Sequence, residues 1–337
     1  MSGSDSDRPV ARETVPPGGG AAAEPIRAIR LKHPGRIVVA IMLVLLLALF
    51  IIDAAGHEAY GWGNFAKYVF DRRISQAALN TLLLTIYSMA IAIVVGIVLS
   101  VMRLSGNPVV KGVAWLYLWI FRGTPVYVQL AFWGLFATIY STIDIGIPFS
   151  APWLSFETKN VIDDFWLAVI GLALNEAAYM AEIVRAGILS VDKGQEEAAT
   201  ALGMAWLLTM RRIVLPQAMR VIIPPTGNEV ISMLKTTSLV AAVPFSFDLY
   251  GRARDISVEI FDPVPLLLVA SSWYLLFTSI LMIGQYFLER RFSRGVGQAR
   301  TTRRADAVGA TATGRGSLPA AGTTATPGAD TTEGDGR

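Results

Sequence analysis

Long apolar runs separated by short polar segments make up most of this chain. A bilayer core of about 30 Å requires roughly 20 apolar residues in a helix that rises about 1.5 Å per residue. The first such run, residues 37–55, is almost wholly apolar. Five more follow at 78–102, 124–140, 165–189, 221–243 and 264–288. The pattern predicts an all-α, polytopic membrane protein with six transmembrane helices.

The third of these spans is interrupted. Residues 109–121 are apolar but end at Arg122-Gly123-Thr124-Pro125. Glycine and proline break helices, and Thr124 can cap a new helix with Pro125 in its first position. We therefore predict an interfacial or re-entrant segment over 109–121 and a span over 124–140, with a single kinked helix as the alternative. Arg122 is expected to bridge the carbonyl groups exposed at the break.

Composition agrees with a membrane protein and excludes several kinds of site. Hydrophobic residues make up 53% of the chain, charged residues 16%, and the mean hydropathy is +0.49. Without cysteine there are no disulfides or thiolate metal sites, and His33 and His57 are too far apart to predict a metal site. No P-loop, G-x-S-x-G or H-E-x-x-H motif occurs, so ATP hydrolysis is expected on another subunit.

The chain ends are poor in large apolar residues. Residues 1–36, which end in a basic flank, and residues 296–337 are rich in Ala, Gly, Thr, Ser and Pro, and are predicted to be disordered tails. No cleaved signal peptide is expected.

Basic residues predict the orientation of the spans. With the N-terminus inside, the cytoplasmic segments hold thirteen lysines and arginines and the outer segments hold six. The inner ones are Arg27, Arg30, Lys32, Arg36, Arg103, Lys111, Lys193, Arg211, Arg212, Arg220, Arg290, Arg291 and Arg294; the outer ones are Lys67, Arg72, Arg73, Lys159, Arg252 and Arg254. We therefore predict a multi-pass cell-membrane protein with both termini in the cytoplasm.

Polar residues within the apolar runs are candidates for function, because burying them in a membrane is costly. Asn175 and Glu176 lie near the middle of the fourth span, and Tyr179 follows one turn later on the face of Glu176. Glu182 and Arg185, three residues apart, are predicted to pair. Two interpretations of Glu176 remain open: it binds a substrate cation, or it pairs with Lys235 on the fifth span.

A polar segment between the fourth and fifth spans has the pattern of two short helices. Residues 195–202 are good helix formers, and Gly203 fits a C-terminal position of positive φ. A second helix is predicted over 206–213. Pro216 is expected to end it, because proline lacks the N–H that continues a helix.

This segment resembles the EAA loop of the membrane subunits of binding-protein-dependent ABC importers. The similarity consists of Glu197-Ala198-Ala199, then Gly203 after three residues, then Ile213-Val214-Leu215-Pro216 after nine. Flanking motifs resemble the polar amino-acid branch of the family. They are Ala178-Tyr179-Met180-Ala181-Glu182-Ile183-Val184-Arg185, Arg122-Gly123-Thr124-Pro125 with Gln129-Leu130, and Leu234-Lys235-Thr236-Thr237-Ser238-Leu239.

The resemblance implies a type I importer transmembrane domain over residues 77–295 and a cytoplasmic docking loop over 191–220. It implies the permease subunit of an ATP-driven importer that moves a polar amino acid by alternating access. The expected partners are an ATP-binding subunit, an extracytoplasmic substrate-binding protein, a second permease copy or paralogue, and membrane lipid. ATP and Mg are expected on the ATPase, with no cofactor bound by this chain.

The resemblance also assigns candidate residues to two sites. The ATPase-docking residues are Gln195, Glu196, Glu197, Ala198, Ala199, Gly203 and Pro216. Because the fifth span faces the core in this family, its polar residues join those of the fourth span as candidates for substrate binding. That set is Asn175, Glu176, Tyr179, Asn228 and Ser238.

Two other classes of function remain as alternatives. An ion-coupled secondary amino-acid transporter would use intramembrane carboxylates but would not need the docking loop. A membrane scaffold that does not transport would need neither.

Overall fold

The computed structural model describes residues 34–147 and 152–292. Residues up to His57 form a unit of their own, whose described part is the helix α1, Pro34–Gly56. Its most apolar window has a mean hydropathy of 3.1, and it covers the helix predicted for residues 37–55. The two predicted disordered tails lie outside the described residues, apart from residues 34–36, which belong to α1.

The second unit, from Glu58 onward, is built almost entirely of helices. Its elements are a 3-10 turn Glu58–Tyr60, α2 Trp62–Tyr68, α3 Arg72–Leu104, α4 Pro108–Gly123, α5 Val126–Gly134, α6 Phe136–Ile139, β1 Thr142–Ile145, β2 Leu154–Glu157, α7 Thr158–Val161, α8 Asp164–Leu189, α9 Lys193–Ala201, α10 Trp206–Thr209, a π-helical turn Met210–Val214, α11 Leu215–Thr236, a 3-10 turn Thr237–Ala242, α12 Leu249–Glu259 and α13 Pro263–Phe292.

Within the described residues, four helices are long and apolar enough to cross a membrane: α1, α3, α8 and α13. The helix α11 has 22 residues, about 33 Å at 1.5 Å per residue, but it is less apolar because it carries charged side chains and Pro224-Pro225. The predicted fifth span therefore begins earlier, at Leu215, and ends its α-helical part earlier, at Thr236.

The predicted third span over 124–140 is wrong as a single helix. Helix α5 has only nine residues, about 14 Å, and α6 adds one short turn after it. Thr124 does not cap α5: its hydroxyl donates back to the carbonyl of Ile120 in α4, and Pro125 is itself the N-cap of α5. The chain therefore breaks between α4 and α5, and neither helix alone has the length of α3 or α8.

A small β-hairpin was not predicted from the sequence. Strands β1 and β2 pair antiparallel, with Ile143 opposite Phe156 and Asp144 opposite Ser155. Both strands are only four residues long and lie in a segment interpreted from its charges as an outer loop. Short runs of this kind give too weak an alternation to distinguish a strand from a loop.

Helix α8 is the centre of the second unit because it packs against α3, α4, α5 and α11. Small residues allow the close approach: a Cβ atom added to Gly96 of α3 would lie 2.6 Å from the Cβ of Met180 and 3.1 Å from the backbone nitrogen of Ala181. On the other side, a Cβ atom on Gly187 would lie 2.2 Å from Cγ1 of Ile222 in α11. Small residues at helix contacts are typical of membrane helix packing.

A buried polar corner fixes α12 against α3. Asp248 is fully buried and caps α12, its Oδ2 accepting from the backbone nitrogens of Tyr250 and Gly251 at 3.1 Å each. The backbone nitrogen of Leu249 donates to the hydroxyl of Thr81 in α3 at 2.9 Å. Burial raises the pKa of the Asp248 carboxyl to about 6, although these backbone hydrogen bonds act to lower it.

The close contact at Gly96 generates a prediction about stability. Replacing Gly96 by valine forces the added atoms into Met180 and the backbone of α8, so we expect the unfolding free energy to fall by about 1–3 kcal/mol. Gly112→Val is the matched control, because a Cβ atom at Gly112 of α4 meets nothing within 4 Å. Thermal melting of the two purified variants in detergent measures the difference, and equal melting temperatures would contradict the packing argument.

Candidate functional site

Two side-chain amides close the break between α4 and α5. The Nε2 of Gln129 donates to the carbonyl of Phe121 at 3.0 Å, to that of Thr124 at 3.1 Å and to the Thr124 hydroxyl at 2.7 Å. The Nδ2 of Asn175 in α8 donates to the same Phe121 carbonyl at 3.1 Å and to Oε1 of Gln129 at 3.0 Å. The amide of Asn175 is therefore occupied in joining α8 to the break.

The predicted role of Arg122 at this break is wrong. Its guanidinium makes no hydrogen bond to the carbonyls, which Gln129 and Asn175 satisfy instead. It lies 3.9 Å from Oε1 of Glu182 and 5.5 Å from the ring centre of Tyr179, which is a cation–π distance. Tyr179, a predicted substrate-binding residue, is thus in contact with the guanidinium of Arg122.

The carboxylate of Glu182, in the C-terminal half of α8, contacts three arginines. The predicted pair with Arg185 is present, with Oε2 at 2.7 Å from Nη2 and 3.1 Å from Nε. Its Oε1 also lies 3.8 Å from the guanidinium of Arg103 in α3. A carboxylate shared among three arginines holds α3, α4 and α8 together, which fits a structural role.

Glu176 and Glu229 form a carboxyl pair between α8 and α11. Glu176 is only 7% exposed, and the half-buried Glu229 lies near enough for the two carboxyl groups to interact. Its Oε1 has no hydrogen-bond partner among the described residues. A buried, unpaired carboxylate oxygen is costly, so this pair has the chemistry of a site for a cationic group.

The alternative prediction, in which Glu176 pairs with Lys235, is wrong. In the parts of the chain that the structure describes, Lys235 forms no ion pair with Glu176 or with another acid. Lys235 and Ser238 instead line a separate cavity beyond Glu229 on the same stretch of chain. Asn228, the remaining predicted substrate-binding residue, is exposed on α11 beside Glu229.

Glu229 was not among the residues predicted from the sequence to bind substrate. It follows Asn228 directly, and an ionisable side chain costs more in a membrane than an amide does. Its charge alone could therefore have marked it as a candidate. What could not be read from the sequence is that α11 brings position 229 to Glu176 of α8.

The predicted turn at Gly203 is confirmed by its geometry. Helix α9 begins after Asp192, whose Oδ1 accepts from the backbone nitrogen of Gly194 at 2.8 Å. Gly203 has φ of +74°, its nitrogen donates to the carbonyl of Thr200, and the nitrogen of Met204 donates to that of Ala199. These two bonds make a Schellman motif, which fixes the angle between α9 and α10.

The predicted role of Pro216 is wrong. It does not end a helix: it lies in the first turn of α11, where its missing N–H needs no partner. The second short helix is α10 followed by the π-helical turn, and this turn runs directly into α11. The docking segment, residues 193–214, is therefore continuous with the long helix that carries Glu229.

The docking segment presents an uncovered apolar surface. Leu202 is 82% exposed, Trp206 67% and Leu207 70%. Of the predicted docking residues, Gln195, Glu196, Glu197, Ala198 and Gly203 are exposed, whereas Ala199 is buried under the turn. Apolar side chains rimmed by polar ones are typical of a surface that binds another protein.

The amides at the helix break generate a prediction. Gln129→Leu removes the donor to Thr124 and leaves its carbonyl unsatisfied, so we expect a loss of about 1–3 kcal/mol in unfolding free energy. Arg122→Ala should cost less, because that side chain bonds no carbonyl at the break. Tryptophan fluorescence melting compares the two with Gln195→Leu, an exposed control; the account fails if Gln129→Leu melts like the control.

The chain is similar to known transport proteins. Residues 92–294 match the family described as binding-protein-dependent transport system inner membrane component. The arginine transport system permease protein of Corynebacterium glutamicum is 58% identical over 295 residues, which cover 86% of this chain and 92% of that protein. The nopaline transport system permease protein of Agrobacterium fabrum is 36% identical over 233 residues, covering 67% of this chain and 91% of that protein.

A solved structure has the same fold over most of its length. It is described as an amino acid ABC transporter with histidines, and it is similar with a TM-score of 0.54 at 32% identity. The match covers 65% of this chain and 94% of that one.

Proposed function

This chain belongs to the family of binding-protein-dependent transport system inner membrane components and is the permease subunit of an amino-acid ABC importer, and from this premise we propose that it imports a cationic amino acid with a guanidinium group. Membership decides against the two alternatives, an ion-coupled transporter and a scaffold that does not transport. The observation that carries the proposal is the carboxyl pair formed by the buried Glu176 and the half-buried Glu229.

The pair suits a guanidinium for electrostatic and geometric reasons. Two carboxylates side by side in a low-dielectric surrounding repel each other, so a cation between them is strongly favoured. A guanidinium offers several N–H donors in a planar fork, which match carboxylate oxygens in pairs. The unpartnered Oε1 of Glu176 is an acceptor that such a ligand would satisfy.

The relatives support the same class of substrate. One is named for arginine and another for nopaline, and both compounds contain a guanidinium group. Of the other predicted binding residues, Asn228 is exposed and precedes Glu229 in the chain, and Ser238 lines the neighbouring cavity; in this proposal both contribute polar contacts. Tyr179 and Asn175 serve chiefly to position α8 in this proposal, through Arg122 and Gln129.

Transport requires partners, and the docking segment is the proposed contact with the ATPase. The apolar Leu202, Trp206 and Leu207 would fill a groove on the ATP-binding subunit, which holds ATP and Mg. The thirteen-to-six basic bias supports a cytoplasmic position for this segment and for both termini. A second permease copy or paralogue, an extracytoplasmic binding protein and the surrounding lipid complete the assembly.

The carboxyl pair gives the direct test of substrate class. Glu176→Gln keeps the shape and removes the charge, so the apparent affinity for arginine should fall at least tenfold, while competition by the neutral amino acid glutamine changes little. Glu229→Gln should act in the same direction. Uptake of labelled arginine in cells, normalised to permease level, measures both, and Glu259→Gln at an exposed position is the control.

Asn175→Ala separates binding from support of the fold. It should reduce the amount of folded permease more than the affinity, because its amide joins α8 to the helix break. Unaltered arginine affinity in Glu176→Gln at normal protein level would overturn the proposal.

The turn of the docking segment generates a test of coupling. Gly203→Val places a β-branched residue at φ of +74°, at a local cost of about 1 kcal/mol or more, and tilts α9 against α10. We expect the permease to reach the membrane while arginine-stimulated ATP hydrolysis falls several-fold. Gly106→Val is the matched control, since Gly106 lies in the loop between α3 and α4 without positive φ. Normal stimulation in Gly203→Val would refute the docking role.

A further inference from the structure

A cavity of about 590 Å³ lies beyond Glu229, between α5, α12, α13 and the 3-10 turn after α11. Its volume is in the range of small-molecule sites. Tyr127, Ser238, Tyr250 and Tyr274 bring hydroxyl groups to it. The Ser238 hydroxyl already donates to the carbonyl of Lys235, and the Tyr274 hydroxyl lies 3.4 Å from that of Thr237. The hydroxyls of Tyr127 and Tyr250, from two separate helices, are therefore the donors that the lining offers to a ligand.

The charges of this cavity are all of one sign. Lys235 and Arg254 line it, and no aspartate or glutamate does. Lys235 makes no ion pair within the described ranges. Arg254 lies 3.7 Å from its chain neighbour Asp255, both groups being partly exposed, and pairs of that kind contribute little. The buried carboxyl of Asp248 also attracts Arg254, but no ion-pair contact joins the two side chains, so both cations can still meet an anionic group.

The helix dipole of α11 explains only one of the two cations. Lys235 lies in the last turn of α11, where a positive charge is favoured by the helix dipole. Arg254 comes from α12, a different element, whose position is fixed by the buried cap at Asp248. The dipole of α11 gives no reason for a second cation from α12 to line the same cavity.

Charge therefore changes sign along α11. Lys235 follows Glu229 by six residues, about 9 Å along the helix axis. With the docking segment in the cytoplasm, Lys235 lies nearer to the outside than the carboxyl pair does. An amino acid has one negative group, its α-carboxylate, and this group would meet the basic cavity first.

We propose that the cavity lined by Lys235 and Arg254 is an outer site that binds the α-carboxylate of the incoming amino acid. Arg254 is suited to a two-point contact with the carboxylate, Lys235 supplies a point charge, and the hydroxyl of Tyr127 donates to a remaining lone pair, since that of Ser238 already donates to the carbonyl of Lys235. The inference rests on amino-acid import, but it does not require that the other end of the substrate is a guanidinium.

The test compares arginine with agmatine, which keeps the guanidinium and lacks the carboxylate. Binding of labelled arginine to the assembled permease–ATPase complex in nanodiscs is measured in the absence of the binding protein. Lys235→Met and Arg254→Met should each weaken arginine binding about tenfold and leave inhibition by agmatine unchanged within twofold. Arg254→Lys should recover part of the loss.

Arg252→Met is the matched control on the same helix, because Arg252 lies over the ring of Phe247 at 4.5 Å and does not line the cavity. Equal weakening of arginine and agmatine, or no weakening of arginine, would overturn the proposal. The proposal would also be overturned if the variants changed only how arginine binding depends on the phosphatidylglycerol content of the nanodisc, since the cavity would then bind a lipid phosphate. If one variant fails to fold, the other still decides, as the cations lie on different helices.

The same assay distinguishes the proposed carboxylate site from the proposed guanidinium site at Glu176 and Glu229. Glu176→Gln should weaken arginine and agmatine alike, whereas the cavity variants should weaken arginine alone. Loss of the Glu176 effect with the cavity effect intact would refute the guanidinium site and leave the carboxylate site standing.

Discussion

Backbone carbonyls at a helix break need donors, and the rest of this structure depends on how that need is met where α4 and α5 separate. A carbonyl left without its donor would cost about 1–3 kcal/mol. Gln129 and Asn175 provide the donors, and Asn175 belongs to α8. The break in one helix thereby fixes the rotation and height of the central helix, and Glu176, the next residue, is held against α11 as a consequence.

Close packing supports the same placement from the other side. Gly96 admits α3 to the backbone of α8, and Gly187 admits Ile222 of α11. With α8 held on two faces, a carboxyl pair can be kept together although its members repel each other. In the proposed site, this unfavourable interaction would be relieved when a cation binds between the two carboxyl groups.

Local features were predictable from the sequence, and contacts between helices were not. The conformation of Gly203 follows from its position after a helix, which is information carried by neighbouring residues. Pro216 shows the limit of local reasoning, since proline ends one helix and begins another with equal ease, and only the continuation into α11 decides. The partner of Glu176 depends on the rotation of two helices, so Lys235 and Glu229 could not be distinguished by spacing alone.

The direct connection between the docking segment and α11 has a mechanical consequence. The π-helical turn Met210–Val214 joins them without a loop, so a displacement of the docking segment would be transmitted along α11 towards Glu229 and Lys235. Pro224 and Pro225 remove two backbone donors within this helix, which makes it easier to bend there. Gln285 of α13 donates to the carbonyl of Pro224 at 2.7 Å and so attaches the bend to a neighbouring span. Glu229 and Lys235 both lie beyond these prolines, so a change of angle there would move the two side chains together relative to Glu176 of α8.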